Sequence, residues 1–142
     1  MSHLVKQKSD VKIKDLDTLS DACKRLPGVQ LHKDRKVAKY YGGATTKCDA
    51  TISVAGTENE IAVIKQADGS YEIATDLFDT RIRNAVSTEK DKYYGEAACD
   101  KLFQAYRVEE TVNEAINSGW TVDNVVYDPS TNEYCIEGNY GY

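Results

Sequence analysis

Between residues 33 and 47 the chain gathers the side chains best suited to hold an anion. The run Tyr40-Tyr41-Gly42-Gly43-Ala44-Thr45-Thr46-Lys47 sets two hydroxyls and an ammonium behind a glycine pair that permits close backbone approach. Lys33, Arg35, Lys36 and Lys39 lie just upstream, and Tyr40 and Tyr41, on opposite faces of a strand, offer a ring to stack a base. The chemistry expected of Lys33, Arg35, Lys36, Lys39, Tyr40, Tyr41, Thr45, Thr46 and Lys47 is capture of a phosphate, a carboxylate or a nucleotide. The Gly-x-x-x-x-Gly-Lys-Ser/Thr spacing of a Walker loop is absent, and the same glycine pair equally suits an ordinary strand connection.

Other constellations are weaker. Glu72, Asp76 and Asp79 bring three carboxylates close in sequence, which suits acid-base work, a hard cation, or simply a wet sheet face. His3 with a cysteine would be a thiol-imidazole pair, but no spacing selects a partner for it. Cys23, Cys48, Cys99 and Cys135 are widely separated, and neither histidine stands in metal-ligand spacing. Free thiols in a reducing compartment are therefore expected, with no metal and no cofactor.

The elements that must position these residues follow from the apolar periodicity. Residues 3 to 13 read as extended. A helix from Asp15 carries Leu16, Leu19, Cys23 and Leu26 on one stripe and ends at Pro27-Gly28. Val29 to His32 and Lys36 to Tyr41 read as strands broken by a charged run, and Cys48 to Val54 alternates as a strand with one wet face. Turns at Gly56-Thr57-Glu58-Asn59 and Asp68-Gly69 make the next strands an antiparallel meander. From Ser87 to Gly119 the pattern is helical, and a single helix of that length would be about 45 Å long, so a break is expected near Arg107. A last hairpin turns around Asp128 to Asn132, and residues 138–142 are expected to form a loose tail.

This order excludes a doubly wound parallel fold. The expectation is one α+β domain over residues 1–137: a mainly antiparallel sheet of about five to seven strands, with two or three helices packed on one face. No apolar stretch precedes the first elements, so a soluble, cytoplasmic protein is expected. Residues 1–50 hold eleven Lys or Arg against six Asp or Glu, a charge of +5, while the remainder stands at -10. The acidic remainder disfavours nucleic acid as a partner. Ten tyrosines against two phenylalanines and one tryptophan suit either an interface or a half-wet sheet, and open sheet edges favour a lateral partner, including a second copy.

Several short motifs, taken in order, resemble one small family. Met1-Ser2-His3, Ile13-Lys14-Asp15-Leu16, Thr46-Lys47-Cys48-Asp49, Asp68-Gly69-Ser70-Tyr71-Glu72 and Gln104-Ala105-Tyr106 are similar to the domain-of-unknown-function family twelve fifty-seven. That family includes the hypothetical chloroplast reading frame thirty-five proteins of plastids and cyanobacteria, with bacterial and phage relatives. The resemblance implies a compact domain and no particular catalysis. This chain departs from it at Leu77-Phe78, where many members carry tryptophan, and in the longer stretch Asp79 to Gly95.

The functional expectation is a non-enzymatic binding or adaptor protein. Its basic, tyrosine-containing first third would recognise a partner protein or a small anionic ligand. Two alternatives stand beside it: an enzyme on a phosphorylated or nucleotide substrate, and nucleic-acid binding.

Overall fold

Asp15 starts the first helix. Its carboxylate accepts from Thr18 N at 3.0 Å and from Thr18 Oγ1 at 2.7 Å, satisfying a first-turn amide that has no partner within the helix. In the computed structural model, which describes residues 5–6, 11–77, 79–88 and 98–141, this helix is α1 (Leu16–Lys24). Leu19, Ala22 and Cys23 face inward, and the chain leaves through Pro27 and Gly28. Gly28 has φ +74°, and a Cβ there would lie 2.9 Å from that of Ala55, so the turn needs glycine on both counts.

Five strands form the central sheet, all neighbours antiparallel: β1 (Val5–Lys6), β2 (Val29–His32), β5 (Ala50–Val54), β6 (Glu60–Lys65) and β7 (Tyr71–Thr75), in the order β1-β7-β6-β5-β2. The alternation of β5 and β6 sends Ala50, Ile52, Val54, Ile61 and Val63 to one face. There they meet α1, α2 (Thr80–Val86) and α3 (Asp100–Asn117) through Leu19, Cys23, Ile82, Val86, Leu102 and Phe103. Burying each of the larger aliphatic side chains contributes about 1.5–3 kcal/mol. The opposite face carries Thr51, Ala62 and Ala74, and is covered by a two-stranded hairpin, β3 (Val37–Tyr40) and β4 (Ala44–Lys47), whose Ala38 is fully buried against Ala62 and Ala74. The fold is a single α+β domain, with helices on one side of the sheet and a hairpin on the other.

The long helical stretch differs from expectation. Its break does not fall at Arg107. α3 runs unbroken from Asp100 to Asn117, and α2 ends at Val86, well before it. The helix that contains Arg107 is about 27 Å long, which a domain of this size accommodates. Nothing within it, neither proline nor glycine, interrupts the hydrogen bonding. Tyr106 ties α3 to the start of α1, because its buried hydroxyl accepts from Lys14 N at 2.9 Å and from Asp15 N at 3.2 Å.

The final hairpin, β8 (Trp120–Asp128) and β9 (Glu133–Tyr140), is a separate two-stranded ribbon. Residues 138–140, expected in a loose tail, instead continue β9 and pair with Trp120, Thr121 and Val122. Gly138 permits this, since a Cβ on it would lie 2.3 Å from Thr121 O at the point where the register shifts. Trp120 and Tyr140 stack at the open end with ring centroids 5.4 Å apart.

Candidate functional site

The nine residues expected to hold an anion lie on one local unit, the β2–β3 loop and the β3–β4 hairpin. Pairing sets Val37 opposite Lys47, Ala38 opposite Thr46, Lys39 opposite Thr45 and Tyr40 opposite Ala44. Lys39, Thr45 and Lys47 therefore share one face of the hairpin, while Tyr40 and Thr46 share the face that Ala38 presses onto the sheet. Gly42 and Gly43 both adopt positive φ, +76° and +77°, with nothing near their Cβ positions. They close the hairpin through a single turn of 3-10 helix, Tyr41–Gly43, and the Tyr41 side chain lies outside the described residues.

The five basic residues of this unit divide into three with definite partners and two with none among the described residues. Lys33 pairs with Asp17 of α1. Lys36 donates to the carbonyls of Lys33 at 3.0 Å and Asp49 at 2.6 Å, which latches the loop that enters the hairpin. Arg35 forms an ion pair with Glu60. Lys39 and Lys47 are exposed and form no ion pair among the described residues.

Arg35, Lys39 and Thr45 converge on one open cavity of about 500 Å³, together with Val37. Its far wall is the end of β5 and the turn into β6, with Ser53, Thr57, Glu58 and Glu60. His32 steadies that wall through a 2.8 Å hydrogen bond between its Nε2 and Ser53 Oγ. Summed over the lining, two cations meet two carboxylates, so the cavity is close to neutral.

Glu60 is the member that the sequence pattern missed. Only 6 % of its surface is exposed, and its carboxylate accepts from Arg35 Nη1 and, at 3.1 Å, from Lys39 N. The second bond satisfies an amide of β3 that has no neighbouring strand, so Glu60 covers the edge of the hairpin. The signal for it was present: a carboxylate that alternates with Ile61 and Val63 shares a face with Ala62, and a charge buried there requires a partner.

The other expected constellations separate. Glu72 pairs with Lys6 at 3.0 Å, and Asp76 is buried just beyond β7. Asp79 caps α2 through the amides of Arg81 and Ile82, and also accepts from Thr57 Oγ1 at 2.5 Å and Asn59 Nδ2 at 2.7 Å. Partial burial pushes the Asp79 carboxyl up, but these hydrogen bonds outweigh it and hold it below the usual carboxylate range. Burial pushes the Cys23 thiol up to about 12, and it raises that of Cys99 as well, so neither is a thiolate near neutral pH. His3 lies outside the described residues.

No cluster of three or more His, Cys, Asp or Glu among the described residues could hold a metal ion. No described helix is long and apolar enough to cross a membrane. Neither a family model, a curated protein nor a solved structure matches the chain.

Proposed function

We propose that the protein is a non-enzymatic binding or adaptor protein whose first third docks an acidic segment of a partner protein in the cavity beside the β3–β4 hairpin. The observation that carries this reading is Lys39: it lines the cavity and has no ion-pair partner among the described residues, while the charge of Arg35 is taken by Glu60. Thr45 and the half-exposed side chain of Val37 line the cavity with it, beside Ser53 and Thr57, whose hydroxyls are bonded to His32 and to Asp79.

Charge decides between a peptide carboxylate and a phosphate. A polyphosphate or a nucleic-acid backbone needs several free cations, and its binding rests on them. Here Glu58 and Glu60 offset two cations, so no surplus positive charge is present for a polyphosphate, and Lys39 is the cation that Glu60 does not pair. Lys47, further along the same hairpin face, extends the basic surface. The resemblance to family twelve fifty-seven remains part of this proposal and adds no activity to it.

Titration of the whole chain with a peptide that carries glutamate among apolar residues, beside inorganic triphosphate, tests the reading. The peptide should bind more tightly than triphosphate, and Lys39→Ala should weaken it about tenfold, the worth of one charge-assisted contact. Tighter binding of triphosphate, or an affinity indifferent to Lys39→Ala, would overturn it.

A further inference from the structure

A second cavity, of about 410 Å³, lies where the turn end of the β8–β9 ribbon meets the helices. We propose that it binds a small aryl carboxylate, an apolar ring system carrying a single negative charge. Leu26 and Pro27 beyond α1, Ala85 on α2 and Val125 on β8 give it apolar walls. Tyr127 and Tyr134 add an aromatic wall, their ring centroids 4.7 Å apart. The volume is within the usual range for small-molecule sites, as is the pattern of apolar walls with a few convergent polar groups.

Those polar groups are donors. Arg25 gives its Nε to the largely buried Glu109 and stands 5.8 Å from the Tyr134 ring centroid, so its guanidinium is fixed in place. Lys101 makes one 3.3 Å hydrogen bond, to Asn84 O, and has two further N–H donors. The Tyr127 hydroxyl donates to Asn132 Oδ1 at 3.0 Å, whereas that of Tyr134 makes no hydrogen bond among the described residues. Glu109 takes the charge of Arg25, which leaves Lys101 as the lining cation without an ion-pair partner among the described residues, a match for a monoanion and not for a phosphate dianion. A ring between the tyrosines and Leu26 would bring its carboxylate within reach of Lys101 and Tyr134. It would also brace the ribbon against the body, whose described polar ties there are the Asn132 Nδ2 to Asp100 O bond of 3.4 Å and the Arg25–Tyr134 contact.

The test uses the whole chain with 2-naphthoate as probe, and 2-naphthol and inorganic phosphate as controls. Amide resonances report the site, and the unfolding midpoint reports the bracing. Naphthoate should shift the amides of Leu26, Ala85, Lys101 and Val125, raise the midpoint, and bind about tenfold more tightly than naphthol or phosphate. Lys101→Gln should remove most of that advantage over naphthol. Ala85→Leu, which fills the cavity without altering a charge, should abolish binding. Absence of those shifts at millimolar naphthoate, equal binding of phosphate, or affinity unchanged in Ala85→Leu would overturn the proposal.

Discussion

The Tyr106 hydroxyl serves two backbone amides at once, and its removal leaves both without that acceptor. Tyr106→Phe keeps the ring in the core, so the loss reads the hydrogen bonds alone: stability should fall by about 1–3 kcal/mol in denaturant melts. Cys23 makes a second prediction. Its folded thiol is held up at about 12 by burial, whereas an unfolded chain releases that proton near 9.0. The folded state thus binds more protons between those values, so the stability it gains is complete below pH 9 and declines as pH rises toward 12. Cys23→Ala should show a shallower loss of stability over that range in pH-dependent melts. The periodicity that placed Cys23 and Leu19 on one stripe was legible because repetition along a helix reveals its buried face. What Tyr106 hydrogen-bonds was not, since its partners lie more than ninety residues away and no local pattern encodes them.

Elements joined by short, specific turns were equally legible. The Asp68-Gly69 hairpin and the Asp15 cap form as expected, because the residue types themselves fix those conformations. The α3 boundary was not, because Ser87 and Thr88 are not helical although the apolar rhythm was read from Ser87 on, and rhythm alone does not locate a start. The extension of β9 through Gly138 depends on a cross-strand approach to Thr121 that no reading of the C-terminus alone supplies. Asp79 joins two elements, capping α2 while holding Thr57 and Asn59 of the β5–β6 turn. Asp79→Ala should cost about 1–2 kcal/mol in thermal or denaturant melts, toward the upper end of the range for an N-cap. Because the folded carboxyl is held below its ordinary range, its contribution is present above that range and is lost as pH falls through the folded value. Wild type should therefore lose more stability on acidification than Asp79→Ala.

Across the whole molecule, the sequence showed a charge split whose use depends on pairing. Of the basic residues gathered before position 50, Lys33, Lys36 and Arg35 are engaged in holding the fold, and Lys39 and Lys47 stand unpaired among the described residues. Which cation is free is settled by distant acids such as Asp17 and Glu60, and composition cannot report it. The central sheet is packed on both faces, whereas the β8–β9 ribbon is mostly exposed along both strands. Hydrogen exchange should follow this contrast: the amides of β5 and β6 should exchange slowest, and those of β8 and β9 far sooner. Equal protection of ribbon and sheet would show the ribbon to be part of the same cooperative unit.

β2 and β5 are direct neighbours in the sheet, with His32 opposite Thr51, although the whole β3–β4 hairpin lies between them in the chain. The hairpin is thus a cassette: its two ends are fixed one strand apart by pairing that it does not itself supply. A different loop could be grafted between His32 and Ala50 without changing the register of the sheet, provided that it also covers Ala62 and Ala74. The hairpin side of the candidate cavity is therefore exchangeable as a unit, while Ser53, Thr57, Glu58 and Glu60 of the scaffold stay in place.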